Sequence, residues 1–186
     1  MPRVSVVTTS LELTDRGAIV PARRPAVAAR LERVAEPSPA YSRFWYTAVG
    51  GGWYWRDKLA WSWSEWAAFL GRPGFETWTL FVAGNPAGYF ELDAADPGAV
   101  EIVSFGLLPA FIGRGLGGWL LERALHRALT VGCRVWLHTC TLDGPAALAN
   151  YRARGLVPFA SEAADVDLPP EPPGPWPGSG FAGGPR

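Results

Sequence analysis

The sequence predicts an α/β domain with α+β layering: a mixed, mostly antiparallel central sheet of about six to seven strands flanked by helices. Three observations predict it. The β-rich runs Thr77–Ala83, Ala87–Asp93 and Val100–Leu107 are separated by the turn signals Asn85-Pro86 and Asp96-Pro97-Gly98, the pattern of an antiparallel meander. Leu116–Thr130 sets Leu120, Leu121, Ala124, Leu125 and Ala128 on one helical face and stops at Gly132. Arg134–Thr141 is strand-like again, so this helix is the crossover between two parallel strands.

The remaining elements follow in order. Val4–Leu13 is β-branched and reads as a strand, and Thr14–Pro25 as a loop. Ala28–Ala35 fits either a strand or a short helix, and Glu36-Pro37-Ser38-Pro39 breaks the chain after it. Ser38 or Ser42 caps a helix running to about Val49, which Gly50–Gly52 ends. Ser62 or Ser64 opens a second helix through Leu70, with Glu65 in its first turn. Pro145–Arg154 is a short helix with Gly155 as its C-cap, and Leu156–Ala160 a last strand. Leu168–Arg186 is rich in proline and glycine and poor in large apolar groups. Residues 167–186 are therefore expected to form a disordered tail, alternatively a polyproline ligand, behind one domain over 1–166.

Composition excludes several classes. Lys+Arg and Asp+Glu are both 17, so the basic excess of a duplex-DNA binder is missing and no nucleic-acid partner is expected. There is no run of 18 apolar residues and no signal-peptide core, so no membrane association is expected. Cys133 and Cys140, if on one strand, lie about 23 Å apart, well beyond the ~7 Å that a disulfide spans. They read as reduced thiols of a cytoplasmic protein. With two His and two Cys, no metal site is expected.

The segment Leu107-Leu108-Pro109-Ala110-Phe111-Ile112-Gly113-Arg114-Gly115-Leu116-Gly117-Gly118 carries the chemistry. A strand leads in and a helix leads out. The glycines permit positive φ and close approach of another group to the backbone. The helix start offers unpaired N–H groups and the positive dipole end, and Arg114 adds a cation: together an anion cradle. Taken alone, the same glycines also suit a turn with no ligand. A dinucleotide-binding loop would need GxGxxG after an early βαβ unit, and a P-loop would need Lys-Ser/Thr; the segment has neither.

This segment resembles motif A of the GCN5-related N-acetyltransferase (GNAT) superfamily, Gln/Arg-x-x-Gly-x-Gly/Ala after a strand and a proline. Gly115 and Gly117 take the glycine positions, and Ile112 stands where Gln or Arg is usual. A second match follows: Ala147-x-x-x-Tyr151-x-x-x-Gly155-Leu156 resembles the family's tyrosine helix, with Gly144 where an Asn is usual and Asp143 just before it. The resemblance covers about 28–160. It extends to a narrower bacterial subgroup through Phe90-Glu-Leu-Asp93, Phe105-Gly-Leu-Leu-Pro109 and His138-Thr-Cys-Thr-Leu-Asp143.

The resemblance implies a sheet splayed between Val100–Leu107 and Arg134–Thr141, with acetyl-CoA as co-substrate. Phe105, Leu107, Leu108, Ile112, Gly113, Arg114, Gly115, Leu116, Gly117, Gly118 and Asn150 are then the coenzyme-binding positions. It makes Tyr151 the general acid for the departing thiolate and the Leu107 N–H a polariser of the thioester carbonyl. Glu91 and Glu101, on neighbouring strands, are candidate bases, with His138 third; a water chain is the alternative. Trp53, Trp55 and Asp57 are candidate acceptor-binding residues. Seven of the ten tryptophans fall between 45 and 78, either as an aromatic wall for a cationic or apolar acceptor or as core. The acceptor is expected to be a small-molecule amine or a peptide or protein amine. Homodimers are common in the family, so the resemblance allows one here, while the sequence does not fix the oligomeric state. A CoA-binding module without turnover and a glycine-cradled nucleotide binder are the competing readings.

Overall fold

A computed structural model of the chain describes residues 3–176. Seven strands form one sheet: β1 (Arg3–Leu13), β2 (Ala29–Arg33), β3 (Glu76–Val82), β4 (Asn85–Asp93), β5 (Ala99–Leu107), β6 (Arg134–Cys140) and β7 (Val157–Asp167), ordered β2-β3-β4-β5-β6-β1-β7. Every pairing is antiparallel except β5–β6. The helices are α1 (Pro39–Gly50), α2 (Trp63–Leu70), α3 (Leu116–Ala128) and α4 (Ala147–Ala153). The mostly antiparallel, helix-flanked sheet is the one the sequence predicts.

Local chemistry sets the element ends. Ser38 caps α1, its Oγ accepting from Tyr41 N at 3.3 Å, with Pro39 at the first helical position where a missing N–H costs nothing. Ser62 and Glu65 form a reciprocal capping box at α2. The undecided Ala28–Ala35 segment is an edge strand, paired with β3 from Ala29↔Val82 to Arg33↔Trp78. The turn between β3 and β4 sits at Ala83-Gly84, not Asn85-Pro86: φ is 50° and 80° at the first two, as a tight hairpin needs, and Pro86 enters the strand at an irregular register.

The main core lies between one sheet face and α3 with α4. Phe90, Leu92, Val100, Ile102, Val135 and Leu137 meet Leu116, Leu120, Leu121, Leu125 and Tyr151 there. The other face carries α1, where Trp45 stacks on Tyr89 with centroids 5.0 Å apart. Burying these side chains is the dominant stabilising term, at about 25 cal/mol per Å². The face assignment follows β alternation: on β4, Phe90 and Leu92 point to α3, and Tyr89 and Glu91 point to α1 and α2.

Two expectations change. The last strand runs to Asp167 rather than Ala160, because β1 pairs along it from Glu12↔Val157 to Arg3↔Asp167. The disorder expected over Leu168–Arg186 does not hold for its first part. Leu168 is buried, and Gly174 N donates to Gly51 O at 2.9 Å, so one apolar side chain and one backbone bond tie this part to the domain. Residues 177–186 lie outside the described residues.

Gly155 has φ 99°, and a Cβ there would sit 2.2 Å from Ala18 O; Gly84 has φ 80° and open space. Gly155→Ala should therefore cost more than about 2 kcal/mol in denaturant unfolding, whereas Gly84→Ala costs about 1 kcal/mol. Equal losses would show that the backbone of residue 18 yields.

Candidate active site

The site begins where β5 and β6 part. They pair only over Ala99↔Arg134, Val100↔Val135 and Glu101↔Trp136. Beyond that, β5 stays bonded to β4 as far as Leu107↔Gly88, and β6 stays bonded to β1 as far as Cys140↔Thr8. Each strand keeps its outer partner while the inner ladder opens. The register with β4 slips between Glu91↔Ser104 and Leu92↔Ile102, leaving Val103 as the extra residue of a bulge. A bulge bends its strand and re-aims the following side chains.

At the head of this gap β5 turns through Pro109–Phe111 into the glycine loop. Gly113 and Gly115 have φ of 80° and 73°, and a Cβ at either would meet nothing within 4 Å. Gly115 is the N-cap of α3 and has no side chain to bond the first-turn amides. These residues, with Ile112 and Arg114, are exposed. Leu116 is different: its side chain is fully buried in the core, so only its backbone faces the loop. The two glycines after it make room for neighbours. A Cβ on Gly117 would lie 3.8 Å from Leu107 Cδ1 and from Asn150 Nδ2, and one on Gly118 would lie 3.4 Å from Asn150 Oδ1. The cradle residues and Asn150 are thus brought together, whereas Arg114 packs its guanidinium 5.0 Å from the Phe111 ring centroid. Phe105 and Leu107 lie along the opened edge of β5, and Leu108 N is taken up by Ala87 O at 2.9 Å.

Tyr151, on α4, packs edge-on to Phe105 across the gap, with centroids 6.0 Å apart. Burial, and then the Asp143 carboxylate, push its phenol well above the ordinary tyrosine range, so it stays protonated at neutral pH.

The candidate bases share the other face. Glu91 is 2% exposed, opposite Thr77 and Ser104 on the flanking strands. Burial pushes its carboxyl above the usual carboxylate range, and the Lys58 ammonium offsets this only in part. Thr77 Oγ1 donates to it over a long 3.5 Å, and the buried Ser42 Oγ nearby has no well-formed bond. Glu101 pairs with His138, Oε1 to Nδ1 at 3.7 Å, which holds the imidazole above its ordinary value. Glu91, Glu101 and His138 thus face one space, and Tyr151 approaches from the opposite layer.

Trp53 and Trp55 lean on the β6–α4 turn. Trp55 Nε1 donates to Asp143 Oδ1 at 3.2 Å, and Trp53 packs on Gly144, where a Cβ would be 3.4 Å away. A Cβ on Gly50 would collide with the Trp55 ring at 2.1 Å, so only glycine fits beneath it. Asp57 is exposed in the same loop. Sequence reasoning passed over two residues. Asp143 accepts from Thr139 Oγ1 (2.7 Å) and Cys140 N (3.0 Å) as well as Trp55, joining β6 to the tryptophan loop. Lys58 sits beneath α1 and α2; its signal was that the chain has no other lysine.

This geometry coincides with a family match. The model of the acetyltransferase (GNAT) family matches residues 36–156. The chain belongs to that family. No curated protein matches it in sequence. Among solved structures, a GCN5-related N-acetyltransferase from Kribbella flavida is 22% identical, covers 88% of this chain and 58% of its own, and has a TM-score of 0.61. One from Sphaerobacter thermophilus is 13% identical over 86% of this chain and 50% of its own, TM-score 0.62. A Bacillus subtilis acetyltransferase in complex with CoA is 21% identical over 69% of this chain and 76% of its own, TM-score 0.50. At these identities the likeness shows the GNAT fold. The chain spans only 50–64% of the length of the first five structures it matches. Cys133, just before β6, and Cys140, its last residue, are free thiols. Among the described residues no helix is long and apolar enough to cross a membrane, and no cluster of His, Cys, Asp and Glu stands at metal-ligand spacing.

Glu91 has a raised native pKa, so the folded chain keeps a proton that the unfolded chain releases at about pH 4.3. Stability therefore falls as pH rises from there through the native value. Glu91→Gln should remove that decline: its melting temperature should exceed the wild type's by roughly 2–5 °C at pH 8 and by much less at pH 4. A pH-independent difference would mean that the buried carboxylate is already solvated or paired.

Proposed function

We propose that the protein transfers an acetyl group from acetyl-CoA to a primary amine. The observation that carries this reading is the joint placement of an open glycine cradle at the start of α3 and a protonated phenol, Tyr151, beside one parting of β5 and β6. The cradle fits a diphosphate: Gly113 and Gly115 leave open space, and the first-turn amides of α3 carry the positive end of the helix dipole. The neighbour in complex with CoA supports the same choice of coenzyme.

Acetyl-CoA supplies the activated thioester. The chain's residues then have separate tasks. The amides of Gly115–Gly118 anchor the phosphates, with Asn150 beside them. The freed edge of β5 around Phe105–Leu107 offers backbone groups for an added-strand interaction with the pantetheine arm. Glu91, its carboxyl raised by burial, is suited to accept the amine proton, with Glu101 and His138 as a second acceptor pair. Tyr151 is suited to donate a proton to the departing thiolate. Trp53, Trp55 and Asp57 line the acceptor side. The compartment proposed is the cytoplasm, and dimerisation is proposed by analogy with the family.

Calorimetric titration with CoA should give saturable heat in the wild type and none in Gly115→Val, whose branched side chain disfavours φ 73°. Tyr151→Phe should keep CoA affinity within about twofold and lose about 100-fold in free-thiol release with acetyl-CoA and a responsive amine. CoA binding without thiol release from any amine would leave a binding module. Absence of CoA heat would sink the whole reading.

A further inference from the structure

The chain carries 17 basic residues, and only Lys58 is a lysine. It is held unlike the arginines. Its Nζ lies 3.9 Å from the Phe69 ring centroid, 5.5 Å from Trp61, 5.6 Å from Tyr46 and 6.0 Å from Trp66. These rings form a cage beneath α1 and α2. Its floor is buried, with Trp66 at 1% and Tyr46 at 6% exposure, while Trp61 and Phe69 at the rim are half-buried. The Tyr46 hydroxyl accepts from Lys58 N at 3.4 Å, so the backbone is fixed independently of the ammonium. Among the described residues no carboxylate comes within the 4.0 Å of an ion pair with Nζ. The charges it senses at longer range are Glu91, Arg72, Glu101 and Asp57.

An aromatic cage selects a compact alkylammonium, because ring quadrupoles attract the cation without demanding directed acceptors. Ring attraction favours the charged form of an amine held there, while burial opposes it and holds the Lys58 ammonium below the ordinary lysine range. The amine attacking a thioester must lose a proton, and no carboxylate among the described residues stands within 4.0 Å of the caged nitrogen to take it, so the cage is not the seat of the reacting nitrogen. It does share a face with the candidate bases Glu91 and Glu101, within electrostatic reach of both. On the same face Tyr89 Oη and Ser42 Oγ are buried without partners among the described residues, and each is a hydroxyl able to accept from an ammonium N–H.

We propose that the cage of Tyr46, Trp61, Trp66 and Phe69 binds a second, non-reacting alkylammonium of the acceptor, which is a diamine or longer polyamine chain, and that Lys58 is an internal stand-in displaced on binding. This rests on the acetyl-transfer reading for the acceptor's role, but not for the binding itself. Lys58 then makes acceptor binding competitive with an intramolecular ligand: removing its side chain tightens binding rather than weakening it.

The test uses the full chain. Calorimetry with 1,4-diaminobutane, without acetyl-CoA, should show Lys58→Ala binding at least tenfold more tightly than wild type, and Lys58→Ala/Phe69→Ala losing that gain. In thiol release, Lys58→Ala should lower KM for 1,4-diaminobutane at least fivefold and leave KM for n-butylamine within twofold. Equal diamine affinity in wild type and Lys58→Ala, or equal effects on the two amines, would overturn the proposal and make Lys58 a structural cation. If no amine releases thiol, the acetyl-transfer reading fails while the calorimetric arm still decides the cage. Should Lys58→Ala not fold, quenching of wild-type tryptophan fluorescence decides: saturation by the diamine at least fivefold below n-butylamine supports the cage, and equal midpoints refute it.

Discussion

The parting of β5 and β6 is the constraint on which the rest depends. Three paired residues hold the two strands together at one end, and each is then retained by its outer neighbour, β4 or β1. Opening an inner ladder leaves backbone groups unpaired in the middle of a sheet, which is costly unless a ligand or water bonds them. The structure contains that cost locally. The bulge at Val103 turns the end of β5, and Phe105 packs edge-on to Tyr151 of α4. The core on the α3 side continues uninterrupted beneath, through Val100, Ile102, Val135 and Leu137. The same parting puts the start of α3 at the head of the gap, next to the freed edge of β5.

Two faces divide the work. The α3–α4 face holds the larger apolar core, with Tyr151, Glu122 and the Glu76–Arg127 ion pair among its polar groups. The α1–α2 face gathers Glu91, Glu101, His138 and Lys58 among aromatic rings. Rings suit this face because they exclude water yet attract cations. Phe69 shows this directly: Lys58 Nζ and Arg72 Cζ lie 3.9 Å and 4.1 Å from its centroid. Arg72 is fixed in turn by Asp93, at 2.8 Å. Burial among these groups holds the Glu91 carboxyl above the usual carboxylate range.

The tryptophan-rich loop is anchored from three sides. Trp55 rests on Gly50 and bonds Asp143, Trp53 rests on Gly144, and Gly51 pairs with Gly174. Glycines at 50 and 144 let indole rings lie flat on backbone, and this seats the loop over the outer end of the gap. The distant segment around Gly174 joins the tryptophan loop through one backbone bond, although its composition argued for no fixed structure.

Local chemistry in the chain was enough to place the meander, the amphipathic α3, the glycine turn and the tyrosine helix. Each depends on residues close in sequence: turn formers at 96–98, a 3.6-residue apolar period from 116, and a positive-φ glycine at 155 just past the Arg154 C-cap. The cradle was legible for the same reason, since its amides and glycines are consecutive. What tertiary structure alone decided are relations between distant segments. β1 lies between β6 and β7, β7 therefore extends to Asp167, Asp143 reaches Trp55, and Lys58 enters a cage drawn from α1, α2 and a loop. A strand's neighbours and a cation's ring partners are set by which apolar faces must be buried together. That depends on how the whole chain packs, and no short window of sequence encodes it.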